Sequence, residues 1–136
     1  MPTPREAFDR LRRQWFLAAQ SDLDEDLFTE DLVVEMPFAA PGRPTRIEGR
    51  AAFIAYAQTG RATLPVRFDR CDITAAHDTA DPDVIVVEYE LGGTATTTGV
   101  SASAPFVGVL RARDGRIAHW REYQHTLAIA QALAAA

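Results

Sequence analysis

The residues best suited to acid–base chemistry lie in two strand-like segments, VIVVEYELGG and IAHWREYQH. Alternate residues of a strand point to opposite faces, so Glu88 and Glu90 share one face of the first segment. In the second segment, Glu122 shares a face with Trp120 and Gln124. With the apolar face of the first segment packed on a helix or a partner, we expect its two glutamates on the concave side of the sheet. Carboxyls in an apolar pocket resist ionisation, because desolvation and mutual repulsion raise their pKa, and they can then donate protons near neutral pH.

Each of these residues also has a structural interpretation without chemistry. An alternating valine and glutamate strand is commonly half-solvated, which would leave Glu88 and Glu90 without a catalytic role. Glu122 could form a surface ion pair with Arg121. His125, at the end of the same segment, is a candidate base, and its alternative is a capping or surface position.

Large apolar side chains could shape a pocket around such carboxyls. The candidates for substrate contact are Trp15, Met36, Phe38, Tyr56, Phe106 and Trp120. Large aromatic residues more often fill a core than bind a ligand, so core packing is the alternative for the aromatic members of this set.

The composition argues against several other classes of chemistry. All 14 basic residues are arginine, which removes lysine Schiff bases and covalent pyridoxal attachment. The single cysteine, Cys71, has no internal disulfide partner, and no CxxC or HExxH spacing suggests a metal site. We therefore predict neither a metal nor another cofactor. A net charge of −5 argues against nucleic-acid binding.

Length and patterning predict one domain over residues 1–136, since 47% hydrophobic content is enough to build a core. No apolar run approaches the roughly 20 residues that cross a bilayer. The opening MPTPREAFDRLRR mixes charge and proline where a secretory signal needs an apolar stretch. The sequence therefore predicts a cytoplasmic protein with no membrane partner.

Helices dominate the start of the chain. The pattern Thr-Pro-x-Glu from Thr3 predicts a capped first helix, whose apolar stripe comprises Phe8, Leu11, Trp15 and Ala18. A short second helix is predicted over 22–28 and a third over 49–58. The tail TLAIAQALAAA is composed of good helix formers and predicts a last helix.

Most of the remaining sequence is typical of an antiparallel sheet. One strand is predicted over 32–38, before the loop AAPGRPTR. Four more are predicted over 66–75, 84–91, 99–112 and 116–125. The Asp114-Gly115 pair predicts a tight hairpin between the last two strands. Helices followed by a long antiparallel sheet indicate an α+β fold.

Two segments, LFTEDLVVEMPFAAPGRPTRIEGR and DGRIAHWREYQHTLAIAQAL, resemble in order and spacing the SnoaL-like group of the nuclear-transport-factor-2-like superfamily. The resemblance implies a cone-shaped α+β barrel, in which a curved, mostly antiparallel sheet and N-terminal helices enclose an apolar pocket. It also implies a homodimer formed through the sheet.

Members of this superfamily differ in function. Ketosteroid-isomerase relatives carry a general-base aspartate directly before the strand proline, where this chain has Met36. Limonene-epoxide-hydrolase relatives carry a catalytic aspartate in a WRDY motif, and WREY places Glu122 there. Their partner arginine and aspartate fall at about Glu88 and Glu90, so the arginine is absent.

Phenazine-biosynthesis proteins of the PhzA and PhzB type carry an acidic pair like EYE and a final REF segment whose glutamate acts as an acid, which matches Glu122. SnoaL-type polyketide cyclases use a carboxylate near this strand end, where His125 stands here. The resemblance thus implies Glu122 as proton donor or acceptor, with Glu88 and Glu90 as neighbours that raise its pKa.

The sequence therefore predicts a cofactor-free enzyme that uses general acid–base catalysis on a small hydrophobic ketone or polyketide-like substrate. Cyclisation, condensation and isomerisation all fit this chemistry. The alternative is a binding or accessory protein that holds a small molecule in the same pocket and leaves it unchanged. An interaction module that assembles through its sheet is a third hypothesis.

Overall fold

Three helices and a six-stranded sheet make up the part of the chain that the computed structural model describes, residues 2–16 and 23–135. The helices are α1 Pro4–Leu11, α2 Arg50–Thr63 and α3 Thr126–Ala135. The strands are β1 Phe28–Glu35, β2 Arg46–Glu48, β3 Val66–Asp78, β4 Val84–Ala95, β5 Ser101–Arg113 and β6 Arg116–Gln124. No helix in these ranges is long and apolar enough to cross a membrane.

The strand order is β2-β1-β6-β5-β4-β3, and every neighbouring pair is antiparallel except β1 with β6. The predicted α+β cone fold is confirmed, with a sheet that stays open rather than closing into a barrel. The parallel pairing puts the last strand between β1 and β5. Glu122, near the end of β6, therefore lies inside the sheet rather than at an edge.

The predicted cap of the first helix is confirmed. The Thr3 hydroxyl accepts a hydrogen bond from the Glu6 N–H at 3.1 Å, and the Glu6 carboxylate accepts one from the Thr3 N–H. Beyond α1 the chain continues as a π-helical segment, Arg12–Phe16. Its neighbouring residues Trp15 and Phe16 are both buried. Residue 18, part of the predicted stripe, is outside the described residues.

The predicted strands and the third and last helices are confirmed, with shifted ends. Over the predicted second helix, the structure has a 3-10 turn, Glu25–Leu27, and residue 22 is outside the described part. β2 was not predicted, because three residues in a proline-rich loop carry no periodic signal. The hairpin prediction is confirmed, with φ of 53° at Asp114 and 78° at Gly115, as a type I′ turn requires.

The core lies on one face of the sheet, beneath α1. Alternation along β4 shows which face this is, because Val87, Tyr89 and Leu91 are buried while the residues between them are partly exposed. Phe8 of α1 contacts Tyr89 with ring centroids 5.0 Å apart. The inner face of the central strands is therefore their apolar face.

Candidate active site

A cavity of about 410 Å³ lies between the inner face of the sheet and the helices. Its wall is largely apolar, and the π-helical segment, α2 and α3 contribute to it. Five of the six predicted substrate-contact residues line it: Trp15, Met36, Tyr56, Phe106 and Trp120. Glu122 and Gln124 of β6 also line it. This volume falls within the range of pockets that bind small organic molecules.

Glu122 is the acidic side chain among the described residues that line the cavity, and only 8% of it is exposed. The Tyr89 hydroxyl donates a hydrogen bond to Oε2, and the Gln124 amide donates one to Oε1 at 3.0 Å. Burial raises the pKa of Glu122 above its ordinary value of 4.5, although both hydrogen bonds act in the opposite direction. The carboxyl therefore holds its proton to a higher pH than an exposed glutamate does.

Tyr89 reaches Glu122 from two strands away, across a glycine. Gly108 of β5 lies directly opposite Glu122 in the β5–β6 register. A Cβ atom at Gly108 would come within 3.4 Å of Tyr89 Cε1 and 3.3 Å of Trp120 Nε1. The phenol ring thus passes over β5 at a residue that has no side chain. A larger residue there would compete with the tyrosine for the same space.

The environment of Tyr89 keeps it a hydrogen-bond donor. Its ring is stacked on Phe106, with centroids 5.5 Å apart and planes 8° from parallel. Burial, and next the charge of Glu122, raises the pKa of Tyr89 well above its ordinary value of 10.0. The hydroxyl remains protonated at neutral pH and stabilises the ionised form of the carboxyl. Tyr89 does not line the cavity, so its contribution is to position Glu122.

The structure corrects the expected placement of Glu88 and Glu90. Both lie on the outer face of β4, opposite to Tyr89, and neither lines the cavity. Glu88 pairs with His77 at 2.6 Å, and Glu90 accepts a hydrogen bond from the Ser103 hydroxyl at 2.9 Å. The expectation was wrong because the helix that covers the apolar face of β4, α1, lies on the same side of the sheet as the cavity, which leaves the two glutamates on the other side. Burial, not these two neighbours, raises the pKa of Glu122.

Phe38 and His125 also lie away from the cavity wall. β1 ends at Glu35, so the alternation that would have turned Phe38 inward stops, and the side chain is 58% exposed. His125 is exposed, and its Nδ1 accepts a hydrogen bond from the Ala128 N–H at 3.0 Å. It therefore caps the start of α3.

Two arginines on the cavity wall were missed in the sequence. Arg61 of α2 is half-buried, with its guanidinium carbon 4.0 Å from the Trp15 ring centroid and 5.4 Å from that of Phe68. Burial lowers the pKa of Arg61 from its ordinary value, and a guanidinium stays protonated at neutral pH. Arg43 is exposed in the loop between β1 and β2. No local motif distinguishes either residue from other surface arginines.

The site can therefore transfer a proton between a buried carboxyl and a small apolar ligand. A carboxyl with a raised pKa is a better match to weakly acidic carbon acids than an ordinary glutamate. Within residues 2–16 and 23–135, no group of three or more His, Cys, Asp and Glu side chains is placed to hold a metal ion.

The chain is similar in sequence to a known protein family and to a bacterial relative. A family model described as the SnoaL-like domain matches residues 8–120. A PhzA/B-like protein of Pseudomonas aeruginosa, itself uncharacterised, is 37% identical over 108 residues, which cover 79% of this chain and 74% of that protein. The family match includes Tyr89 and Trp120 and ends two residues before Glu122.

Solved structures with the same fold cover nearly the whole chain. A Bacillus subtilis protein described as a candidate isomerase has a TM-score of 0.78 and 27% identity, over 100% of this chain and 98% of its own. A candidate polyketide cyclase from Pseudomonas putida has a TM-score of 0.75 and 19% identity, over 96% and 98%. At 19% identity, the similarity to the Pseudomonas putida protein concerns the fold alone.

Replacing Gly108 with valine should push Tyr89 away from Glu122. We expect a loss of about 1–3 kcal/mol in the free energy of unfolding, measured by urea denaturation, because the new side chain overpacks a buried site. Gly92→Val is the matched control on β4, since a Cβ there meets the flexible side chain of Arg70. Equal losses in the two variants would contradict the crossing of Tyr89 over Gly108.

Glu122 should make stability fall as the pH rises. A buried carboxyl with a raised pKa contributes its full stabilisation below the ordinary value of 4.5, and this is lost as the pH rises through the raised pKa. Urea unfolding across this range should show Glu122→Gln gaining stability relative to the wild type with increasing pH. Glu88 lies on the outer face, so Glu88→Gln should keep the decrease in the free energy of unfolding that the wild type shows as Glu122 ionises. A pH-independent difference between Glu122→Gln and the wild type would show that Glu122 is solvated.

Proposed function

Because the chain belongs to the SnoaL-like domain family, we propose that it is an isomerase- or cyclase-type enzyme that needs no bound cofactor. Its substrate is a small hydrophobic ketone or polyketide-like molecule, and Glu122 transfers the proton. The observation that carries this proposal is the buried Glu122 carboxyl, held by Tyr89 and Gln124 at the wall of an apolar cavity.

The geometry supports a mechanism that needs one carboxyl. Ionised Glu122 removes a proton from the carbon next to the substrate carbonyl, and the C–H electron pair becomes part of an enolate. For isomerisation, Glu122 returns the proton to a different carbon of the delocalised system. For cyclisation or condensation, the enolate carbon attacks a second carbonyl, and Glu122 gives the proton to the alkoxide that forms. The carboxylate is regenerated in each case.

The neighbours of Glu122 suit both of its protonation states. Desolvation makes the carboxylate a stronger base, which favours removal of a proton from carbon. The hydrogen bonds from Tyr89 and Gln124 stabilise the carboxylate enough for it to form, and they limit its rotation. The largely apolar wall offers few polar groups that could hold water beside the reacting atoms. The role of Glu122 rests on this geometry, because the family match ends before it.

Hydrogen–deuterium exchange at carbon tests the proposal without knowledge of the natural product. Aryl methyl ketones and 1,3-diketones are incubated with the protein in D₂O, and loss of the α-proton signal is followed by NMR. The wild type should accelerate exchange, and Glu122→Gln should lose about a hundredfold or more of this acceleration. Glu90→Gln, which removes a carboxyl from the outer face, should retain it.

Tyr89→Phe gives a second measurement in the same assay. Exchange should slow, and its pH profile should move to higher pH, because the carboxylate loses the hydrogen bond that favours ionisation. Undiminished exchange in Glu122→Gln would refute the role of this carboxyl. Ligands that bind the wild type tightly and keep all their α-protons would instead favour the accessory binding protein.

The proposal includes a homodimer formed through the outer face of the sheet. Val86 and Val109 are directly paired there, with Val107 and Tyr123 paired beside them, and all four are half-buried. Burying such a face would stabilise association. Sedimentation equilibrium should find a dimer for the wild type and a monomer for Val109→Asp, with Thr97→Asp in an exposed turn as the control. A monomeric wild type at high concentration would contradict this part of the proposal.

A further inference from the structure

We propose that the cavity binds an organic anion, a flat apolar molecule with one carboxylate that contacts Arg61. This inference rests on the proposed function, which assigns the ligand a ketone carbonyl that reacts near Glu122. It adds a carboxylate at the other end of the ligand. The substrate class becomes an aromatic or polyketide-like keto acid. The charge, burial and aromatic contacts of Arg61 carry the inference.

The charged groups on the cavity wall favour an anionic ligand. Among the described residues that line it, the ionisable groups that set its charge are Arg43, Arg61 and Glu122. Burial favours the neutral form of Glu122, whereas both guanidiniums stay protonated. The described part of the wall therefore carries two guanidinium groups and one carboxyl, although the chain has a net charge of −5. These arginines attract an anion, whereas the net charge of the chain repels it.

Aromatic rings hold the guanidinium of Arg61 in a preorganised position. Its guanidinium lies over the Trp15 ring at 4.0 Å and near Phe68 at 5.4 Å, and these contacts restrict the side chain. A stacked guanidinium keeps its N–H donors at its edge, in the planar arrangement that matches the two oxygens of a carboxylate. The apolar surroundings of the cavity strengthen such a contact relative to one in water.

The rest of the cavity wall suits a flat apolar body between Arg61 and Glu122. Arg61 is half-buried on α2, whereas Glu122 is deeply buried on β6. The lining between the helices and the sheet is mainly apolar and aromatic, including Phe53 and Phe106. A flat ligand with its carboxylate at Arg61 can therefore place an apolar body against these rings and direct a carbonyl towards Glu122. The exposed Arg43 at the rim adds attraction at longer range.

Two nearly isosteric ligands test the inference, 2-naphthoate and its neutral counterpart 2-acetonaphthone. Isothermal titration calorimetry should show that the wild type binds the naphthoate about tenfold more tightly than the ketone. Arg61→Gln should abolish this preference by weakening naphthoate binding alone, and Arg61→Lys should retain part of it. Arg67→Gln, which removes an exposed arginine outside the cavity wall, should leave the preference unchanged.

Three results would overturn the inference. Arg61→Gln could weaken both ligands equally, which would mean that Arg61 only packs α2 against Trp15. The wild type could bind both ligands equally, or it could fail to bind the naphthoate. The assay measures binding and requires no turnover. A failed exchange assay with an intact preference refutes only the catalytic proposal, and the reverse pattern refutes only the carboxylate site.

Discussion

The hydrogen bond from Tyr89 to Glu122 is the contact on which the site depends. A carboxyl with 8% exposure loses most of its hydration, and burying it without partners would cost several kcal/mol. The phenol and the Gln124 amide replace that water with two fixed donors. The contact also explains Gly108, because the tyrosine crosses β5 where a side chain would otherwise stand. Three strands thus contribute to the position of one carboxyl.

The sheet order makes this contact possible. The last strand returns to lie between β1 and β5, so Glu122 stands in an inner strand of the sheet, opposite Gly108 of β5. The π-helical segment, α2 and α3 then complete the cavity, and α2 brings Arg61 over Trp15. α1 packs on the inner face of the sheet, where Phe8 contacts Tyr89. The result is a largely apolar space whose polar groups have different tasks. A raised pKa suits Glu122 to proton transfer, and a permanent charge suits Arg61 to binding.

Local patterns were enough to predict most of the elements. The cap at Thr3 and the Asp114-Gly115 turn depend on interactions between residues close in sequence, so their chemistry can be recognised in the chain itself. The strand ends were less accurate. β1 stops at Glu35, and this leaves Phe38 exposed although the alternation in the sequence continues through it.

The sequence by itself determined the α+β class, the alternation of each strand and the presence of Glu122 on the same face as Trp120. The alternation also placed Glu88 and Glu90 on the opposite face of their strand from Tyr89. Only the tertiary structure decided which face of β4 points inward, because alternation defines two faces and the packing partner selects one of them. That choice placed Tyr89, rather than the two glutamates, beside the buried carboxyl. The position of Arg61 likewise depended on how α2 packs, since a helical arginine has the same local pattern whether it faces solvent or a cavity.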